Sequence, residues 1–133
     1  MVNNDNIKSE VYFNNETRFD FFIEKKKKKI FVEVKNVTLF RDLKVAEFPD
    51  AVTSRGSKHL KTLIEAKKKG YEAYLLFLIQ IQGVESFKIA NDIDKEYYEN
   101  YLLAKKAGVK FLAYRCKISA KAIKIEKKLI ITS

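Results

Sequence analysis

One cysteine, one proline and four glycines are all that the 133 residues contain of those types. The single thiol, Cys116, cannot close an internal disulfide or build a cysteine-based zinc cluster, which suits a reducing compartment. No Pro-, Gly- or Ser-rich linker and no internal repeat divides the chain, and its length is that of one domain. The amino-terminal MVNNDNIKSE lacks the basic-then-apolar order of a signal peptide. The longest apolar run, Tyr74–Ile79, is too short to cross a bilayer. These absences point to a cytoplasmic protein without a membrane partner.

What is present is a core and an excess of positive charge. Hydrophobic residues make up 47% of the chain, enough to exclude disorder by composition. The net charge of +10 suits a polyanion such as DNA; solvated lysine faces, partly offset by seventeen acids, are the alternative. Residues 1–9 are polar and read as a frayed end, leaving 10–133 as the folded unit. Arg18–Glu24 and Ile30–Phe40 read as strands, Asp42–Ser54 as a loop with FPD as its turn. Arg55–Lys69 reads as a helix stopped by Gly70, and Lys95–Lys106 as one stopped by Gly108. Glu72–Gln82 is a near-continuous apolar run, the pattern of a central strand covered on both sides. Val109–Ile118 is a further strand, with Ala122–Ile131 a last edge strand. The order β-β-α-β-α-β implies crossovers and a three-layer α/β sandwich around a mixed sheet.

The stretch IFVEVKNV, Ile30–Val37, places Glu33 and Lys35 on one face of a strand otherwise built for burial. If Lys25–Lys28 close a hairpin with Glu24 facing Lys29, Asp20 falls opposite Glu33, with Cβ atoms roughly 5 Å apart. Two carboxylates at that distance repel unless a cation neutralises them, and Mg²⁺ or Mn²⁺ takes such a pair together with water and phosphate. Lys35, one pleat further on, reaches an attacking water or the phosphate. Asp20, Glu33 and Lys35 thus make a candidate phosphodiester-cleaving site. The other reading of the same spacing is an exposed ribbon with a cross-strand salt bridge, and a slip of one residue turns Asp20 away.

Longer motifs surround that triplet: SEV at Ser9–Val11, TRFDF at Thr17–Phe21, FVEVKNVTL at Phe31–Leu39, AEFPDAVTSRGSKHL at Ala46–Leu60 and AYLLFLIQ at Ala73–Gln80. With the weaker IDKEYYENYLLAKKAGV at Ile93–Val109, the chain resembles the C-terminal part of the sugar fermentation stimulation protein family over nearly its whole length. That family is similar in this part to PD-(D/E)xK nucleases. The resemblance implies a restriction-endonuclease-like fold and a core site of Asp20, Glu33 and Lys35. It implies that Glu10 helps hold the metal, against a plain surface acid, and that Gln80 sits near the reacting phosphate, against an amide bonded to backbone. Arg55 and His59, at i and i+4 on one helix face, read with the motif as a phosphate clamp, with Lys58 as a further contact. Two departures stand out. Nothing here corresponds to the N-terminal OB-type nucleic-acid-binding domain usual in the family, and Ile81 replaces the basic residue that often follows the strand glutamine.

The expected function is therefore a Mg²⁺- or Mn²⁺-dependent DNA nuclease; the alternatives are a DNA-binding regulator that keeps the fold without catalysis, and a scaffold without nucleic acid. Asp50 reads as a turn cap rather than a metal ligand. The lysine run reads as a solvated turn that guards an edge. Cys116 reads as a strand residue without a redox task. Tyr97, Tyr98 and Tyr101 read as packing rather than base-stacking platforms.

Overall fold

The computed structural model describes residues 6–119 and 122–132. In chain order the elements are β1 (Ile7–Tyr12), β2 (Arg18–Lys25), β3 (Lys28–Val37), β4 (Leu39–Asp42), β5 (Val45–Phe48), α1 (Ser54–Lys68), β6 (Glu72–Ile79), β7 (Ser86–Ile89), α2 (Lys95–Ala107), β8 (Lys110–Ile118) and β9 (Ile123–Thr132). Among the described residues the strands form one mixed sheet in the order β1-β2-β3-β6-β8-β9-β7-β5-β4. β3, β6 and β8 run parallel at its centre, as the two helical crossovers require. The α/β class and the mixed sheet are those expected from the sequence.

The β2–β3 hairpin fixes the geometry that matters most. Its ladder pairs Phe21 with Val32, Ile23 with Ile30 and Glu24 with Lys29, the expected register. The turn is tighter than a four-residue loop: Lys25 still pairs with Lys28, and Lys26 and Lys27 alone turn the chain, with φ of 49° and 69°. Positive φ at both central positions matches the right-handed twist of the flanking strands. The lysine run is exposed, as a solvated turn should be.

Several elements differ from the sequence expectation. Ile7, Lys8 and Ser9 are not frayed: they pair with Ile23, Phe22 and Phe21. Met1–Asp5 lie outside the described residues. The expected loop at 42–54 contains β5, which pairs with β4 on one side and β7 on the other. β9 is no edge strand; its first part pairs with β8 and its end with β7.

Inward-facing Ala73, Leu75, Phe77 and Ile79 of β6 are fully buried, whereas Tyr74, Leu76 and Leu78 on the outer face are half-buried. Both helices pack on the inner face and on each other: Leu60, Leu63 and Ala66 of α1 join the core, and Tyr101 of α2 stacks edge-on against Phe111. The outer face carries no helix among the described residues. The far end of the sheet instead curls over the inner side, bringing Phe87 and Phe48 against Phe77 at 4.5 and 5.6 Å between ring centroids. Cys116 is buried in β8, and Tyr97 and Tyr101 are core side chains.

One buried carboxylate ties the starts of both helices together. Asp94 caps α2 by accepting from Tyr97 N–H at 3.0 Å, and accepts from Thr53 N–H at 2.8 Å. Thr53 in turn caps α1, its hydroxyl accepting from Gly56 N–H at 2.9 Å. A side chain at Gly56 would meet Thr53 and Tyr97 at 2.8–3.0 Å, so glycine is what lets α1 start this close to α2. Asp94→Ala removes one cap and strands a half-buried N–H at the other, and is expected to cost about 2 kcal/mol, read from urea unfolding. Asp50, read as a cap of the turn before α1, is exposed, and the N-cap of the helix itself is Thr53.

Candidate active site

Pairing between β2 and β3 ends at Phe21–Val32. Beyond it, the Asp20 carboxylate replaces a ladder acceptor, taking Val34 N–H at 2.7 Å. Side-chain alternation breaks there: Phe19 is fully buried against Phe31 and Phe13, while Phe21, two residues on, is exposed. Where the two strands part, the Asp20 carboxylate stands beside Glu33.

Glu33 is buried at 3% exposure, on the helix-covered face. Its Oε2 lies 3.2 Å from Lys35 Nζ and in direct contact with His59 Nδ1. Lys35 Nζ is also 3.0 Å from His59 Nδ1. With a proton on Nδ1 the imidazole donates to Glu33; with the proton on Nε2 it accepts from Lys35. Asp20 and Glu33 are hydrogen-bonded to each other. Burial, and then the hydrogen bond to Glu33, push the Asp20 carboxyl up to about 6. Burial alone would raise Glu33 as well, but hydrogen bonds from His59 and Asp20 and the charge of Lys35 outweigh it and hold Glu33 down at about 2. One carboxylate thus holds its charge more firmly while its neighbour takes the proton as pH falls, the pattern of two acids sharing one site.

The structure brings Asp20, Glu33, Lys35 and His59 into one cluster. Glu33 does not lie on an exposed ribbon, and its salt bridge runs along its own strand rather than across to β2. Arg55 and Lys58 line an open cleft of about 500 Å³ that borders the cluster at His59. Tyr12, Glu16, Arg18 and Ser54 complete its walls. Lys58 is held by Glu16 at 3.0 Å. Arg18 stands two residues before Asp20 inside the TRFDF motif; sequence reasoning did not single it out, although a basic side chain that close to a metal-type acid is a signal for it.

Two expected contributors stay outside. Glu10 is in a left-handed backbone conformation, with φ of 53°, and its exposed carboxylate faces Arg18 at 3.6 Å. That ion pair, not the Asp20–Glu33 pair, satisfies it. Gln80 follows the end of β6 by one residue and is exposed. Among the described residues no three His, Cys, Asp or Glu side chains are grouped to hold an ion by themselves.

A second charged cluster braces the motif AEFPDA. Arg41 grips the buried Glu47 with two bonds of 2.9 and 2.6 Å and Asp92 with two of 2.6 and 2.8 Å. The guanidinium holds Asp92 at about 2. Arg41 bridges the two acids and Lys88 stands 3.9 Å from Glu47, so the pair is already matched by cations and is a brace, not a second site.

Comparison with known proteins bears on the family and the fold. Residues 1–122 match the family described as "Sugar fermentation stimulation protein RE domain". A sugar fermentation stimulation protein homolog of Pelagibacter ubique is 77% identical over 129 residues, covering 97% of this chain and 56% of the relative. One from Clostridium beijerinckii is 44% identical over 119 residues, covering 90% and 52%. The solved structure of Pyrococcus furiosus SfsA in complex with Ca²⁺ superposes with a TM-score of 0.85 at 29% identity, covering 97% of this chain and 57% of that one. The chain spans about half the length of the relatives it matches. With a fold of the restriction-endonuclease-like kind and an Asp/Glu/Lys cluster at the parting of two strands, the chain belongs to the sugar fermentation stimulation protein family.

Proposed function

We propose that this chain is a divalent-metal-dependent nuclease that hydrolyses phosphodiester bonds of DNA. The observation that carries the reading is the convergence of Asp20 and Glu33, with the Lys35 ammonium 3.2 Å from Glu33, at the end of a cleft lined by Arg18, Arg55 and Lys58. The donor set fits Mg²⁺ or Mn²⁺. Both side chains offer hard oxygen, and two carboxylates without a full protein cage leave positions for water and phosphate. That the Pyrococcus furiosus relative was solved with Ca²⁺ supports a fold that accepts hard divalent cations.

A bound ion would sit on Asp20 and Glu33, where it lowers the pKa of a water and screens phosphate charge. The chain's own residues supply the rest. Lys35, balanced between Glu33 and His59, orients the attacking water or a phosphate oxygen. His59 fixes the Glu33 carboxylate where the cleft meets the acid pair. Arg55 and Arg18 hold phosphate oxygens, Arg55 in the bidentate manner of a planar fork. Lys58 adds charge once it releases Glu16. Glu10 and Gln80 have no part in this assignment.

The test is incubation with DNA and Mg²⁺ or Mn²⁺ beside the Glu33→Ala and Lys35→Ala variants. Metal-dependent nicking that both variants lose supports catalysis. Equal nicking by all three proteins ends the enzyme reading. Salt-dependent DNA retention without cleavage, indifferent to EDTA, selects a non-catalytic DNA-binding regulator.

A further inference from the structure

Most aromatic side chains of this protein are in the core, but Tyr12 is 64% exposed at the end of β1. It pairs across the ladder with Arg18, whose guanidinium carbon lies 5.9 Å from the centre of the Tyr12 ring. The ring forms a wall common to two hollows. One is the cleft of about 500 Å³ containing Arg18, Arg55, Lys58 and His59; the other, of about 510 Å³, is lined by Phe13, Asn14 and Asn15. Asn14 is committed to the turn, its amide oxygen accepting from Glu16 and Thr17 N–H. That turn holds Tyr12 and Arg18 side by side.

From this arrangement we infer that Tyr12 is a stacking platform for an unpaired base and that the preferred substrate is single-stranded, or frayed at the cleavage point. The inference rests on the nuclease reading for the class of substrate, and deepens it. An exposed aromatic ring next to a basic groove is the combination that binds single strands: cations track the phosphates while the ring stacks a base. Inside a duplex every base face is covered by its neighbours, and only the two end pairs leave a face on which Tyr12 could stack. The Arg18 guanidinium on the ring strengthens the shelf through its cation–π contact. Tyr97 and Tyr101 cannot serve this purpose, because their rings are buried at 0% and 1% exposure. The phosphates on either side of the stacked nucleotide lie within reach of Arg18 and Arg55, in the cleft that ends at His59 and the acid pair.

The experiment is equilibrium binding, by fluorescence anisotropy in EDTA and low salt, of a short labelled DNA single strand and of the blunt duplex of the same sequence. The native chain is expected to bind the single strand more tightly. Tyr12→Ala is expected to weaken single-strand binding roughly tenfold and duplex binding far less, while Tyr12→Phe stays near the native affinity. A native preference for the duplex overturns the inference. So does a Tyr12→Ala variant that holds the single strand as well as the native chain does, or a Tyr12→Phe variant that loses as much as Tyr12→Ala. If single-strand binding ignores Tyr12 while metal-dependent cleavage persists, only the stacking role falls. If the native chain binds neither DNA, the nuclease reading falls with it.

Discussion

Lys35→Ala is expected to lose DNA cleavage by roughly a thousandfold, on the order of 4 kcal/mol of transition-state stabilisation, and to bind Mn²⁺ no more weakly than the native chain. Glu33→Gln is expected to lose both. The division follows from where each group stands. Glu33 contributes a buried oxygen whose charge is kept by Lys35 and His59, so its replacement removes a ligand and half the charge that attracts the ion. Lys35 is a cation 3.2 Å from that oxygen. It opposes a metal ion in the same place, and removing it makes the pocket more attractive to one. What Lys35 offers the reaction is needed only when water and phosphate are present. Isothermal titration with Mn²⁺, beside a nicking assay, separates the two roles. A Lys35→Ala variant that cleaves at the native rate, or a Glu33→Gln variant that still binds Mn²⁺ at the native affinity, overturns the assignment.

How much of this was legible in the sequence depends on the range of the interaction. The hairpin register was, because a turn and its two strands are local: once Lys25–Lys28 reverse the chain, the partner of Phe21 is fixed as Val32. Both helix ends were legible in Gly70 and Gly108, which take positive φ as stop residues do. The short strands β4, β5 and β7 were not. Four residues carry too little alternation to stand out, and their stability comes from neighbours distant in sequence, as when Phe87 packs on Phe77. The alternation along β9 reads as an edge strand, whereas its last residues complete the join to β7. At the site, the residue types were legible and the contacts only in part. No pattern in RFDF announces that Asp20 leaves the ladder to cap Val34 N–H. Nor does the spacing of Glu33 and His59, 26 positions apart, show that α1 delivers an imidazole onto that carboxylate. For Glu10, no pattern in SEV announces the left-handed backbone or the ion pair with Arg18.

Raising the pH from 4 to 6 is expected to tighten Mn²⁺ binding by up to about a hundredfold and then leave it level, with one proton released per ion bound in the acid range. The cause is Asp20. Burial and the hydrogen bond to Glu33 lift its carboxyl from 3.8 to about 6, so below that pH an ion must first displace a proton. Glu33, held at about 2, is charged throughout and adds no slope. The same shift fixes the sign for the metal-free protein. The folded state binds this proton more tightly than the unfolded chain, so the Asp20 contribution to stability is full below pH 4 and is lost as pH rises through 6. Water screens a half-exposed carboxylate, which brings the effect down to the order of 1 kcal/mol. Asp20→Asn removes the charge that burial penalises. Without metal it is expected to unfold at higher temperature than the native chain at pH 8, with the gap closing toward pH 4, and Mn²⁺ should no longer raise its Tm. The difference between the two proteins isolates Asp20 from every other acid that titrates over the same range. A gap that is constant from pH 4 to 8, or Mn²⁺ binding that is flat between pH 4 and 6, would mean that Asp20 ionises at the ordinary carboxylate value and does not share a proton with Glu33.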